Sequence, residues 1–362
     1  MNDRELIINL SVLMKRPTGV STYAMNLLPE LKALSPTLLV SEPIQTYNCY
    51  QIPTGLTPEK GAIGHFKRLK WTQLQLGRIY HKLKGKLLFS PIPEAPLGSG
   101  CRFAVMVHDL IPLRFPEKKS PLLPYFRYYV PQVLAQAAQI ICNSQATAKD
   151  ITDFYQIPFD KIKPIPLAYD LNNFKFLDLP TGNYFLYVGR STPYKNMQRL
   201  IAAFAAIGEK DCELWLAGTP DRRYTPGLRA LVVELGLTDK VKFLDYVPYN
   251  KLPVLMNQAI CLVFPSKWEG FGIPVLEAMA CGTPVITSNI SSLPEITGDA
   301  AILVDPYNVG EITAAMETVV RDAGVRSDLS RASMARASQF SWTKTGLATR
   351  ELLSQLMANC EL

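Results

Sequence analysis

The feature that leaves this chain fewest choices is the regular alternation of strand-like and helix-like runs along almost its whole length. "ELIINLSVL" reads as a strand and "GVSTYAMNLLPELKAL" as a helix; "FAVMVHDL" is a buried strand, "PYFRYYVPQVLAQA" a helix, "QIICNS" a short strand and "SQATAKDITDFY" a Ser-capped helix. The rhythm stalls at "LAYDLNNFKFLDLPTGN" and then restarts: "YFLYVGR", "CELWLAG", "KVKFLDYV", "ICLVFPS", "PVITS" and "AAILVDP" are strands separated by helical runs. This rhythm is the signature of a parallel sheet with crossover helices, because parallel strands need a long connection rather than a tight hairpin. A stall in mid-chain marks a linker.

The expected fold class is therefore α/β, with two doubly wound domains, 1–170 and 171–340. A C-terminal amphipathic helix, 341–362, follows and packs back toward the first domain. The length of 362 residues fits two domains better than one core, and 48% hydrophobic with 19% charged residues suits a globular chain. No apolar run approaches the ~18 residues of a spanning helix. The start, "MNDRELIINLSVLMKR", lacks the basic segment and apolar block of a secretory leader, so a cytoplasmic location is expected. Seven scattered cysteines without a C-x-x-C read as buried thiols rather than a disulfide framework or zinc site.

In a doubly wound sheet, ligands bind outside the carboxyl ends of the strands and in the cleft between domains. "ICLVFPSKWEGFGIPVLEAMACG" places Glu269 in the loop after one strand and Glu277 near the start of the next helix. Gly270 and Gly272 let the backbone turn and a ligand come close, and Pro274 sits at a helix start. The backbone from Phe271 to Val275, running through Gly272, Ile273 and Pro274, then offers free N–H groups that carry the helix's partial positive charge. Two carboxylates flanking such a cradle suit a ligand both hydroxylated and anionic, such as a nucleotide sugar. In "YVGRSTPYKN", Gly189 ends a strand, and Arg190 and Lys195 follow in its loop. Two cations there clamp a diphosphate, or are simply solvated. His108 ends the strand "AVMVHDL" on the side where ligands gather.

The net charge of +7 is concentrated between Lys60 and Lys86, where Lys67, Arg68, Lys70, Arg78, Lys82 and Lys84 interleave with Trp71, Leu74, Leu76, Ile79 and Tyr80. This pattern suits an anionic membrane surface, a solvated helix face or a nucleic-acid contact.

"WEGFGIPVLEAMACGTPVITSN…LPEITGDAAILVDP" resembles the glutamate–seven–glutamate motif of the family 4 retaining glycosyltransferases. "YVGRSTPYKN", "LWLAG" and "DYVPYNKLPVLMNQAICLVFPS" resemble the same family in the same order, over nearly all of residues 183–345. In the first domain "GVSTYAMNLL", "HDLIPLRFPE" and "ICNSQATAKDI" resemble bacterial members, and residues 36–100 match no family pattern. The resemblance implies a GT-B fold, two Rossmann-like domains facing across a cleft, with the donor held by the second and the acceptor by the first. It implies retaining transfer of a hexose, mannose from GDP-mannose being the leading case and UDP-sugars the next. Arg190 and Lys195 would bind the diphosphate, Glu277 the ribose, and Glu269 with the following amides the sugar. His108 would lie near the transferred sugar, and Gly19 would make room for phosphates. Many relatives have paired glycines at that last loop, where this chain has Gly19 alone. The acceptor would be a glycan or lipid-linked glycan of cell-surface polysaccharide assembly, met at the inner membrane face, with no nucleic-acid partner.

No two aspartates are two residues apart, so the D-x-D that holds a divalent ion in many other glycosyltransferases is missing. Metal-independent transfer, without a cofactor beyond the donor, is the expectation. A dinucleotide-dependent dehydrogenase would need G-x-G-x-x-G directly after a strand, and Gly98 and Gly100 precede one instead. A sugar-nucleotide epimerase and a non-catalytic sugar-nucleotide-binding protein share the expected architecture and stay open.

Overall fold

The computed structural model describes residues 5–14, 18–57, 59, 61–117, 120, 122–208 and 211–359. Lys60, the first cation of the basic stretch, and Cys360 lie outside the described residues. The chain divides into two compact units, Met1–Leu167 with Trp342–Leu362, and Ala168–Ser341.

The first unit is built on β1 (Leu6–Asn9), β2 (Thr37–Val40), β3 (Asn48–Gln51), β4 (Leu87–Ser90), β5 (Phe103–Val107), β6 (Gln139–Cys142) and β7 (Ile162–Pro164). They form one sheet in the order β3-β2-β1-β4-β5-β6-β7. Every neighbouring pair is parallel, with Ile8 opposite Phe89 across β1 and β4. The sequence explains the burial: "FAVMV" and "LLFS" are fully buried because helices cover both faces of a parallel sheet. Edge strand β3, "NCYQ", is only half-buried. The closing helix Trp342–Ala358 packs on helix Gly19–Leu31, with Thr345 Oγ1 donating to the Pro166 carbonyl at 2.8 Å.

The second unit holds β8 (Tyr184–Val188), β9 (Glu213–Ala217), β10 (Val241–Asp245), β11 (Cys261–Phe264), β12 (Val285–Ser288) and β13 (Ile302–Val304). Their order is β10-β9-β8-β11-β12-β13, again all parallel. In both sheets the chain runs outward from a central strand, then returns to that strand's other side. The reversal falls between β1 and β4 in one unit and between β8 and β11 in the other, and there the loops at the carboxyl ends part to leave a crevice.

Two helices depart from the simple expectation. "PYFRYYVPQVLAQA" forms Leu122–Pro124, a π-helical turn Tyr125–Tyr129, then Val130–Gln136. Pro131 has no N–H to give the Arg127 carbonyl, so the ladder widens there. A second π turn, Thr72–Leu76, joins helices Gly61–Trp71 and Gly77–Lys82. Gln73 within it donates to the Ala95 carbonyl at 2.9 Å and to the Tyr129 hydroxyl at 2.8 Å, tying both wide turns to the loop after β4. The helix Ala323–Ala337, absent from the sequence reading, completes the second unit. Among the described residues no helix is long and apolar enough to cross a membrane.

Candidate functional site

At the β8/β11 reversal the two loops are fastened before any ligand is considered. Asn196 adopts a left-handed conformation, φ +63°, and is buried. Its Nδ2 donates to the carbonyls of Pro265 at 2.9 Å and Pro306 at 2.7 Å, so it holds the loop after β8 against those after β11 and β13. Lys267 N donates to the Tyr194 carbonyl at 2.7 Å and adds a second tie. Behind them Gly218 closes on Gly189: a Cβ at Gly218 would stand 1.8 Å from the Gly189 carbonyl oxygen, a distance no side chain tolerates.

This fastening brings Lys195 and Glu269 together. Lys195 Nζ lies 2.6 Å and 2.8 Å from the two Glu269 carboxylate oxygens, and the pair is largely buried, at 14% and 9% side-chain exposure. The ammonium also sits 5.0 Å from the centre of the Phe264 ring. Arg190 behaves differently: its side chain is exposed and has no ion-pair partner among the described residues. One cation of the loop is therefore neutralised at rest and the other is available.

The turn after Glu269 is braced from below. The Ser292 hydroxyl donates to the Phe271 carbonyl at 2.6 Å, sharing its hydrogen with the Glu269 carbonyl at 3.1 Å; Ser291 Oγ accepts the Glu269 N–H at 3.3 Å. Gly272 has φ +109°, a conformation that favours glycine, and a Cβ there would also press on Leu293 Cδ2 at 2.8 Å. Helix Ile273–Ala280 starts at the next residue. The amide cradle is narrower than the sequence reading had it. Pro274 carries no N–H, and the Val275 N–H is bonded to the Gly272 carbonyl at 3.0 Å. The N–H groups of Phe271, Gly272 and Ile273 remain without an acceptor among the described residues.

Glu277 is buried on that helix with no ion-pair partner among the described residues. Burial, with Asp170 nearby, pushes its carboxyl up to about 8, so it is largely protonated at neutral pH. Tyr249, raised by burial and then by Glu277 and Asp170, belongs to the same cluster.

In the first unit His108 follows β5 directly. Its Nε2 lies 3.0 Å from the Pro91 carbonyl, which only accepts, so Nε2 carries the proton and Nδ1 is the acceptor. Burial lowers its pKa to about 4, against the raising effect of that carbonyl, and the imidazole is neutral at physiological pH. Tyr23 meets its ring edge-on at 5.1 Å. Gly19 is the exposed first residue of its helix, with open space where a Cβ would be.

His108 borders a cavity of about 460 Å³ that the sequence reading missed. Arg68 lies there, withdrawn from the basic surface and paired with the fully buried Glu94 through Nε–Oε2 at 2.9 Å and Nη2–Oε1 at 2.8 Å. The helical spacing of Gly64, Arg68 and Trp71, all buried, was the available signal. Lys67, Lys70, Arg78, Lys82 and Lys84 are exposed, beside exposed Ile63, Phe66 and Leu74. Among the described residues no three His, Cys, Asp or Glu side chains group as a metal site.

Residues 170–336 match the family model "Glycosyl transferases group 1", and residues 17–173 match "Glycosyltransferase Family 4". The chain is 31% identical over 255 residues to O-antigen chain mannosyltransferase B of Escherichia coli, covering 67% of each protein. It is 34% identical over 202 residues to O-antigen chain mannosyltransferase RfbU of Salmonella typhimurium, covering 56% of each. Thus about two thirds of the first relative's length and just over half of the second's is spanned. Among solved structures, HepE of Anabaena in complex with UDP-glucose superposes with TM-score 0.75 at 17% identity, over 97% of this chain and 99% of that one. Likeness at that identity carries the fold alone, the GT-B architecture of two Rossmann-like domains.

Proposed function

The chain belongs to the group 1, family 4 glycosyltransferases, a family of retaining hexosyltransferases, and from that premise we propose that it moves mannose from a nucleotide sugar to a growing surface glycan. The observation that carries the reading is the meeting, at the β8/β11 reversal, of the Lys195–Glu269 pair, the exposed cation Arg190 and three unbonded N–H groups. A nucleotide sugar asks for these groups. Its diphosphate draws Arg190 and Lys195, which stabilise the charge that develops on the leaving phosphate. Releasing Lys195 toward the diphosphate frees Glu269 to accept sugar hydroxyls, while the Phe271, Gly272 and Ile273 amides donate to the same sugar. Glu277 receives the ribose hydroxyls. No metal is invoked, since the two cations and the helix start supply positive charge.

Retention follows most simply from attack on the face the phosphate leaves, with that phosphate taking the acceptor's proton. A trapped glycosyl-enzyme adduct would overturn this step. His108, neutral and with its N–H held by the Pro91 carbonyl, accepts a hydrogen bond from a sugar hydroxyl at Nδ1 and does not serve as a cation. Mannose is favoured by the names of the Escherichia coli and Salmonella relatives, and a UDP-sugar is the next donor, as in the HepE complex. The acceptor is a glycan or lipid-linked glycan. The exposed lysines beside Ile63, Phe66 and Leu74 support peripheral contact with an anionic membrane, read as stronger sedimentation with anionic than with neutral vesicles.

Nucleotide release from a panel of GDP-, UDP- and ADP-sugars tests the reading. Release from one donor that is lost in both Glu269→Ala and Arg190→Ala supports it. Release unaffected by either substitution counts against it.

A further inference from the structure

A cavity of about 250 Å³ lies in the second unit, at the opposite end of the sheet from the β8/β11 reversal. Ile260 and Pro284, which precede β11 and β12, border it, so it opens at the amino ends of those strands. Gly282, also on its wall, follows helix Ile273–Ala280, whose other end starts at the donor crevice. The segments that line it fall within 176–181, 257–260, 281–284 and 326–330, all of them described residues.

Arg326 borders the cavity, half-buried and held on one side. Its Nη1 donates to the Val319 and Val320 carbonyls at 2.6 Å and 2.8 Å, meeting two of the last carbonyls of helix Val309–Arg321. Those bonds fix the plane of the guanidinium. The Nε–Nη2 edge, the one with which Arg68 grips Glu94 in the first unit, keeps its hydrogens without an acceptor among the described residues. That edge matches an oxyanion with two parallel hydrogen bonds. Ser327 and Ser330, on the same helix Ala323–Ala337, add hydroxyls that can donate or accept.

Asp178 borders the same cavity from the segment that leads into β8. It is exposed, with φ +51°, and its carboxylate has no hydrogen-bond or ion-pair partner among the described residues. One cavity thus holds a free cationic edge and a free carboxylate that do not meet each other. A simple anion would gain Arg326 and be repelled by Asp178; a simple cation would meet the reverse. A molecule with an oxyanion at one end and an ammonium at the other satisfies both.

We infer that this cavity is a binding site for a small zwitterion, whose carboxylate or phosphate takes the Nε–Nη2 edge of Arg326 and whose ammonium meets Asp178. The site is separate from the donor crevice and does not depend on the reading of it.

Ligand-observed NMR on the full chain tests it, with L-serine and phosphoethanolamine as zwitterions, acetate and glycerol 1-phosphate as anions, and ethanolamine as the cation. One zwitterion should bind about tenfold more tightly than the anion or cation that shares its groups. Which one binds separates a carboxylate source from a phosphate source. Asp178→Asn puts in a residue that also tolerates the left-handed backbone, and should bring the zwitterion down to the level of its anion. Arg326→Lys keeps the charge and can still meet the helix-end carbonyls, yet should lose about as much, because lysine has no fork. A saturating excess of UDP or GDP should leave the zwitterion bound. The inference falls if neither zwitterion binds, if an anion alone binds as well, if either variant binds like the parent, or if a nucleotide displaces the ligand.

Discussion

The two sheets share a strand order and a reversal point, yet the crevices at their carboxyl ends have opposite chemistry. At β8/β11 an ion pair lies next to unbonded amides and an exposed arginine, so its charges are poised to be redistributed onto a ligand. In the first unit the pair of Arg68 and Glu94 is sealed at 4% and 0% side-chain exposure, with its donors committed to Glu94, Leu56 and His65. Among the described residues, the first arrangement keeps a cation and amides unpaired, and the second has its buried charges paired with each other. Topology creates a crevice in each unit; what each accepts is decided by whether the charges within it are already satisfied.

The sharpest way to break this contrast is to halve each pair. Arg68→Ala leaves a carboxylate buried without a partner and should cost about 3–5 kcal/mol of stability, read as a lowered unfolding midpoint in urea. The double replacement Arg68→Met with Glu94→Leu should restore most of it. A single variant as stable as the parent would mean that the first pair is not sealed. Lys195→Met should instead act chiefly on turnover, lowering donor kcat/KM by about 10²–10³-fold. A purely structural lysine would leave kcat/KM intact in whatever protein stayed folded.

Asn196→Ala removes two buried hydrogen bonds and leaves the Pro265 and Pro306 carbonyls unmet, a loss of about 2–3 kcal/mol. If the loop tie matters to the site, nucleotide affinity should fall as well; unchanged affinity would separate the tie from function. The effect expected from Glu277 is one of pH rather than of contact. Its carboxyl is raised from 4.5 to about 8 in the fold, so the folded state holds a proton that the unfolded chain has released. Stability from this group is complete below about pH 4.5 and is lost as pH rises through about 8, with Asp170 adding to the loss and Tyr249 and Cys281 packed alongside. The melting temperature of wild type should therefore drop relative to Glu277→Gln across that window. Parallel curves would contradict the assignment.

The strands that are long apolar runs, such as "FAVMV" and "YFLYV", were legible because burial on both faces forces that composition. Edge strand β3, half-buried and polar, gave no such run. Glu269, Lys195 and the glycine turn were legible because each sits where a strand ends, a position that periodicity fixes. Asn196 was not, since its two acceptors lie 69 and 110 residues away and nothing local announces them. Arg68 was readable on its helical phase yet hidden by its basic neighbours, and Glu94, 26 residues on, is what turns it inward. Composition describes a surface well; it does not say which single charge has left it.

The most direct test of the donor site is calorimetric titration of UDP and GDP into the wild-type chain and Arg190→Ala. One nucleotide should bind the wild type, and the variant should lose about tenfold in affinity. No heat from either nucleotide, or equal affinity in the two proteins, would contradict a diphosphate site at the β8/β11 reversal.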